Sequence, residues 1–91
     1  MAAKGIARRM KRYVAVVARH DEQGQVIPCC IEWDDGRRFE IDEVRDVRRA
    51  ASLKTGGDGM RYTIRVGSAI TYLFYEDPRW FVEEKVVELP S

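Results

Sequence analysis

No apolar run in this chain approaches the roughly 20 residues that span a bilayer, and its first residues lack the apolar core of a signal peptide. A cytoplasmic location is therefore expected. Cysteine is scarce: Cys29 and Cys30 are the two present, and they are adjacent. Neighbours on a strand point to opposite faces and do not form an unstrained bridge, so both are expected to be reduced. With one histidine, His20, the chain has no zinc-ligand spacing, and neither a metal nor a cofactor is expected. It also lacks a glycine-rich phosphate loop of known spacing and a nucleophile–base pair. The carboxylate pairs Asp34/Asp35 and Glu83/Glu84 are adjacent rather than convergent, which suits turns and solvated strand ends better than acid–base work. These absences argue against an enzyme.

An excess of either charge is missing too. Sixteen basic residues face 15 acidic ones, a net of +1, which does not call for a polyanionic partner. Distribution can still matter, because a local patch carries a field that the total conceals. Residues 1–12 hold Lys4, Arg8, Arg9, Lys11 and Arg12 and no acid, whereas residues 76–91 have a local net of −3. The front segment reads as a basic N-terminal arm. Ala3, Ile6, Ala7 and Met10 can form one face of a short helix there, though Gly5 and the short length leave such a helix marginal. The arm is either a solvated extension or a contact for nucleic acid or an acidic partner through Arg8, Arg9, Lys11 and Arg12.

What is present is extended-chain patterning. Ninety-one residues, 45% apolar and 34% charged, suit one small globular domain over residues 13–89. Met60, Tyr62, Ile64 and Val66 alternate with Arg61, Thr63 and Arg65, the period of a half-buried strand. Gly67-Ser68 suits a two-residue hairpin turn, and Ala69–Tyr75 is rich in β-branched and aromatic residues. Such a turn sets Val66 opposite Ala69, Ile64 opposite Thr71, Tyr62 opposite Leu73 and Met60 opposite Tyr75, a nearly all-apolar core side. The other side pairs Arg65 with Ile70, Thr63 with Tyr72 and Arg61 with Phe74. On that side the arginine stems either shield a thin sheet or, with the aromatics, form a ligand-facing patch of Arg61, Arg65, Ile70, Tyr72 and Phe74. A one-residue change in the turn would exchange the two sides.

The remaining segments fit the same pattern. Tyr13–His20 reads as a central strand, and Val26–Trp33 as the next one, with Pro28 calling for an edge position or a bulge. Asp35-Gly36 signals a hairpin returning through Phe39 and Ile41. Residues 42–53 fit either a helical face capped by Asp42 or a strand. Their surroundings favour a turn through Asp42–Val44 and a strand over about residues 45–54. Glu76-Asp77-Pro78-Arg79 is a turn, Trp80-Phe81-Val82 opens the last strand, and Trp80 is expected to act as a core lid.

The expected fold is all-β: a small antiparallel meander of about six strands, similar to an SH3-like barrel, with room for a short N-terminal helix. The pattern Gly56-Gly57-Asp58-Gly59-Met60-Arg61-Tyr62, Tyr72-Leu73-Phe74-Tyr75-Glu76 and Trp80-Phe81-Val82-Glu83 resembles small bacterial proteins of uncharacterised function. That resemblance implies a cytosolic bacterial protein and brings no catalytic residues with it. The function expected is protein interaction or self-association, with a protein partner or a second copy as the occupant. The alternative is nucleic-acid binding through the arm and the Arg–aromatic face.

Overall fold

Among the described residues, seven strands follow one another: β1 (Ile6–His20), β2 (Val26–Glu32), β3 (Arg38–Glu40), β4 (Glu43–Ala51), β5 (Asp58–Val66), β6 (Ala69–Glu76) and β7 (Arg79–Glu88). The structure, a computed structural model, describes residues 6–51 and 58–88. All pairings are antiparallel, in the order β3-β2-β1-β7-β6-β5-β4. The fold is the expected all-β one, with seven described strands against the estimate of about six.

β1 is the spine. Its first part, Ile6–Val14, pairs with β7, and its last part, Ala15–His20, pairs with β2. Residues 6–12 are therefore strand and not the short helix or loose arm expected of the basic segment. The reason is long-range. A helix of that length is marginal alone, whereas β7 supplies a full ladder and acidic side chains for the cations. Residues 1–5 lie outside the described residues.

The sheet cannot be flat. Seven strands at about 4.8 Å spacing would put β3 about 29 Å from β4. Only Ile41 and Asp42 separate these two edge strands, and three residue steps reach about 11 Å at most. The two edges are drawn together by this dipeptide. Ile41 N–H donates to the Cys29 carbonyl of β2 at 2.9 Å, and Asp42 N–H donates to the Arg65 carbonyl of β5 at 2.9 Å. Closure stops there. The result is a curled half-barrel, shut at the Ile41–Asp42 end and open where β4 runs on without a partner on its outer side.

Local chemistry sets the registers. Gly67 has φ +60° at the first position of its two-residue turn, a conformation glycine adopts without penalty. The β5–β6 pairs are the expected ones, from Met60/Tyr75 to Val66/Ala69. The register between β1 and β2 slips at Val17/Ala18, leaving Cys29 as the extra residue beside Pro28. β3 pairs only with Cys30–Glu32, so Pro28 also lies where β2 has no neighbour on that side. The strand expected over about residues 45–54 begins earlier: Glu43 and Val44, expected in a turn, pair with Arg65 and Ile64 because Ile41 and Asp42 alone make the link from β3, and a second irregularity lies at Val44/Asp46. The expected continuation through residues 52–54 lies outside the described residues.

The core lies on the concave side. Ile31, Tyr62, Ile64, Leu73 and Trp80 are buried together, with Val14, Val16, Val26, Phe39 and Val44 against them. Trp80 packs on Tyr75 at 4.4 Å and Tyr62 at 5.3 Å between ring centroids, the lid role expected of it.

Candidate functional site

The outer face of β5–β6 carries the residues singled out in the sequence, and the β6–β7 pairing decides which of them are available. That ladder contains only Phe74/Phe81, Tyr75/Trp80 and Glu76/Arg79. Beyond it, β7 follows β1, and Ala69–Leu73 has no described neighbour on its β7 side. Ile70 and Tyr72 in this stretch are 50% and 43% exposed.

The backbone of this stretch is also unspent. In a two-residue hairpin the flanking pair, here Val66 and Ala69, exchanges both hydrogen bonds, and the direction alternates from there. Ala69, Thr71 and Leu73 therefore direct their peptide groups to β5. Ile70 and Tyr72 direct theirs outward. Two donors and two acceptors face an empty edge.

Arg61 sits above this edge, its guanidinium 4.6 Å from the Tyr72 ring centre. Its Nε is buried and has no hydrogen-bond partner among the described residues. Buried donors of this kind are rare, since leaving one unmade costs about 1–3 kcal/mol.

Phe74 and Arg65 are engaged elsewhere. Phe74 stacks on Phe81 at 5.0 Å with the planes 4° apart, and Tyr13 meets Phe81 edge-on at 5.8 Å. Lys11 covers the Phe81 ring at 4.6 Å and Arg79 covers Tyr13 at 3.5 Å. These residues form a small second apolar cluster on the convex side, roofed by cations. Arg65 donates to the Gly67 carbonyl at 2.9 Å and lies 3.6 Å from both Asp42 and Glu43, so it latches the closed end of the half-barrel. The structure brings Arg61, Ile70 and Tyr72 together as an accessible group. Arg65 and Phe74 belong to its support.

The basic arm is largely paired. Arg9 lies 3.7 Å from Glu83, Lys11 is 3.2 Å from Glu76, and Arg12 contacts Glu84 at 2.6 Å and Asp34 at 2.9 Å. Arg12 also lies over Trp33, 4.2 Å from the ring centre. The hydrogen bond to Glu84 is the main cause holding its guanidinium above the usual arginine value. The side chain of Arg8 lies outside the described residues.

A second feature was not anticipated. Where the half-barrel stays open, a cavity of about 490 Å³ is lined by Gln25, Val26 and Ile27 on one side and Val44, Val47, Met60, Tyr62 and Tyr75 on the other. Both hydroxyls are spent: Tyr62 bonds the Val26 carbonyl at 2.6 Å, and Tyr75 bonds Asp77 at 2.8 Å. Burial raises the Tyr62 pKa, and the bond to Asp77, followed by burial, raises that of Tyr75. Only the apolar alternation of Met60 and Tyr62 hinted at this cavity, because its other wall comes from the start of β2, distant in sequence.

Among the described residues, no cluster of three or more His, Cys, Asp or Glu is placed to hold a metal ion. No described helix is long and apolar enough to cross a membrane. No family model matches the chain, and no curated protein or solved structure is significantly similar to it.

Proposed function

We propose that this chain is a protein-interaction module that docks its partner on the outer face and edge of β6. The observation carrying this reading is the coincidence at one place of unspent peptide groups at Ile70 and Tyr72, their exposed side chains, and the unpartnered Nε of Arg61. Strand edges of this kind take up a further strand through the backbone, with alternate side chains giving selectivity. Binding, rather than catalysis, accounts for such a group.

Nucleic-acid binding is the weaker reading. Of the arm cations that it needs, Arg9, Lys11 and Arg12 lie against Glu83, Glu76, Glu84 and Asp34. A polyanion would have to displace these carboxylates.

The test is affinity capture from a bacterial lysate with the wild-type chain and with Arg61→Gln and Tyr72→Lys. A defined protein, or further copies of the chain itself, retained by the wild type and lost from both folded variants supports the reading. Retention indifferent to both substitutions overturns it.

A further inference from the structure

We infer that the occupant of the β6 edge is a second copy of this chain, paired antiparallel through Ala69–Leu73 about a two-fold axis at Thr71. The inference rests on the interaction-module reading and adds the identity of the partner.

Edge strands normally carry devices against pairing: charges, proline, bulges or very short length. The other free edges here carry them. β3 has three residues, and β4 has an irregularity at Val44/Asp46 together with Glu43, Arg45, Asp46, Arg48 and Arg49. Among the described side chains, the open side of β1 bears Arg9, Lys11 and Arg12, and that of β7 bears Glu83 and Glu84, so like would meet like in a symmetric pair. Ala69-Ile70-Thr71-Tyr72-Leu73 has none of these protections.

The stretch is also complementary to itself. With the axis at Thr71, Ile70 of each copy lies opposite Tyr72 of the other. These are the residues whose peptide groups point outward, so the two copies satisfy four donors and four acceptors between them. Ile70 and Tyr72 project from the same face of β6, so each exposed isoleucine meets an exposed tyrosine ring. Thr71 meets its own copy on the opposite face, a favourable cross-strand pair. Ala69–Leu73 brings no charged side chain of its own to the seam, and the arrangement is closed rather than propagating. A seam confined to one five-residue edge is small, so the association should be weak and depend on concentration.

The experiment is sedimentation velocity over a concentration series, with wild type, Ile70→Lys, Tyr72→Glu, and an equimolar mixture of the two variants, each checked for its β-sheet circular dichroism spectrum. The expected result is a concentration-dependent dimer for the wild type and at least about tenfold weaker association for each variant alone. The mixture should recover the dimer, because this register sets position 70 of one chain against position 72 of the other. A wild type that stays monomeric, variants that dimerise unchanged, or a mixture without recovery overturns the second-copy assignment. A monomer that still captures another protein through Tyr72 and Arg61 leaves the interaction-module reading standing. A monomer with no capture that depends on this face ends both.

Discussion

The Tyr62 hydroxyl donates a 2.6 Å hydrogen bond to the carbonyl of Val26, 36 residues earlier, and so ties the middle of β5 to the start of β2 across the floor of the half-barrel. The sheet has no ladder between these strands, and this bond does part of the work that a closed barrel would assign to backbone pairing. Tyr62→Phe keeps the ring against Trp80 but orphans the Val26 carbonyl. A loss of about 1–2 kcal/mol is expected in urea denaturation at neutral pH.

Leu73 lies at the opposite extreme from its strand neighbours Ile70 and Tyr72, being fully buried under Tyr62 and Trp80. Leu73→Ala should cost about 2–5 kcal/mol, most of it from the cavity left behind. Ile70→Ala, two turns of the pleat away, should change monomer stability by less than about 0.5 kcal/mol. Equal costs at the two positions, measured by the same denaturation, would show that the face assignment is wrong.

The contrast between these two residues also measures how much of the molecule can be read from its amino acids. Residues 42–53 match helix and strand alike, and only their β surroundings favour the strand. The register of β5 against β6, the turn at Gly67 and the irregularity beside Pro28 all follow from local rules: period, turn chemistry and a proline without a donor. The β1–β7 ladder does not, because nothing near Tyr13 announces that Phe81 lies opposite. Its only trace is opposite charge at the two ends of the chain, which salt bridges with Glu83 and Glu84 convert into contact. The partial closure was equally hidden. It follows from the shortness of the Ile41–Asp42 link between the two edge strands, a constraint visible only once the strand order is known.

Alkaline pH should weaken the fold. Burial raises the Tyr62 pKa above 10.0, and the bond to Asp77 does the same for Tyr75. With folded-state values above the unfolded one, the unfolded chain releases its protons first, so stability holds below about pH 10 and falls as pH rises through the folded values. Urea midpoints from pH 7 to 11 should show a plateau and then a decline, with a shallower decline in Tyr62→Phe than in the wild type.

Arg12 joins β1 to Glu84 of β7, Asp34 of the β2–β3 turn and the Trp33 ring. Arg12→Gln should destabilise the chain and reduce the dependence of its stability on salt, since the exposed pairs are screened by ions. Denaturation at low and high ionic strength checks this. A variant whose salt dependence matches the wild type would show that the pairs contribute nothing measurable.

Because Arg9, Lys11 and Arg12 are engaged, titration with single-stranded DNA or RNA at low salt should give no saturable binding. A tight complex weakened by Arg61→Ala or by neutralising Arg9, Lys11 and Arg12 would favour nucleic acid as the partner instead.

The most direct test of the account is residue-resolved amide hydrogen exchange along β6 at low and high protein concentration. Thr71 and Leu73 should be protected at both, and Ile70 and Tyr72 should exchange freely when dilute and gain protection as the concentration rises. Protection of Ile70 and Tyr72 that is already complete in the dilute chain would mean that the edge is covered from within. The docking site described here would then not exist.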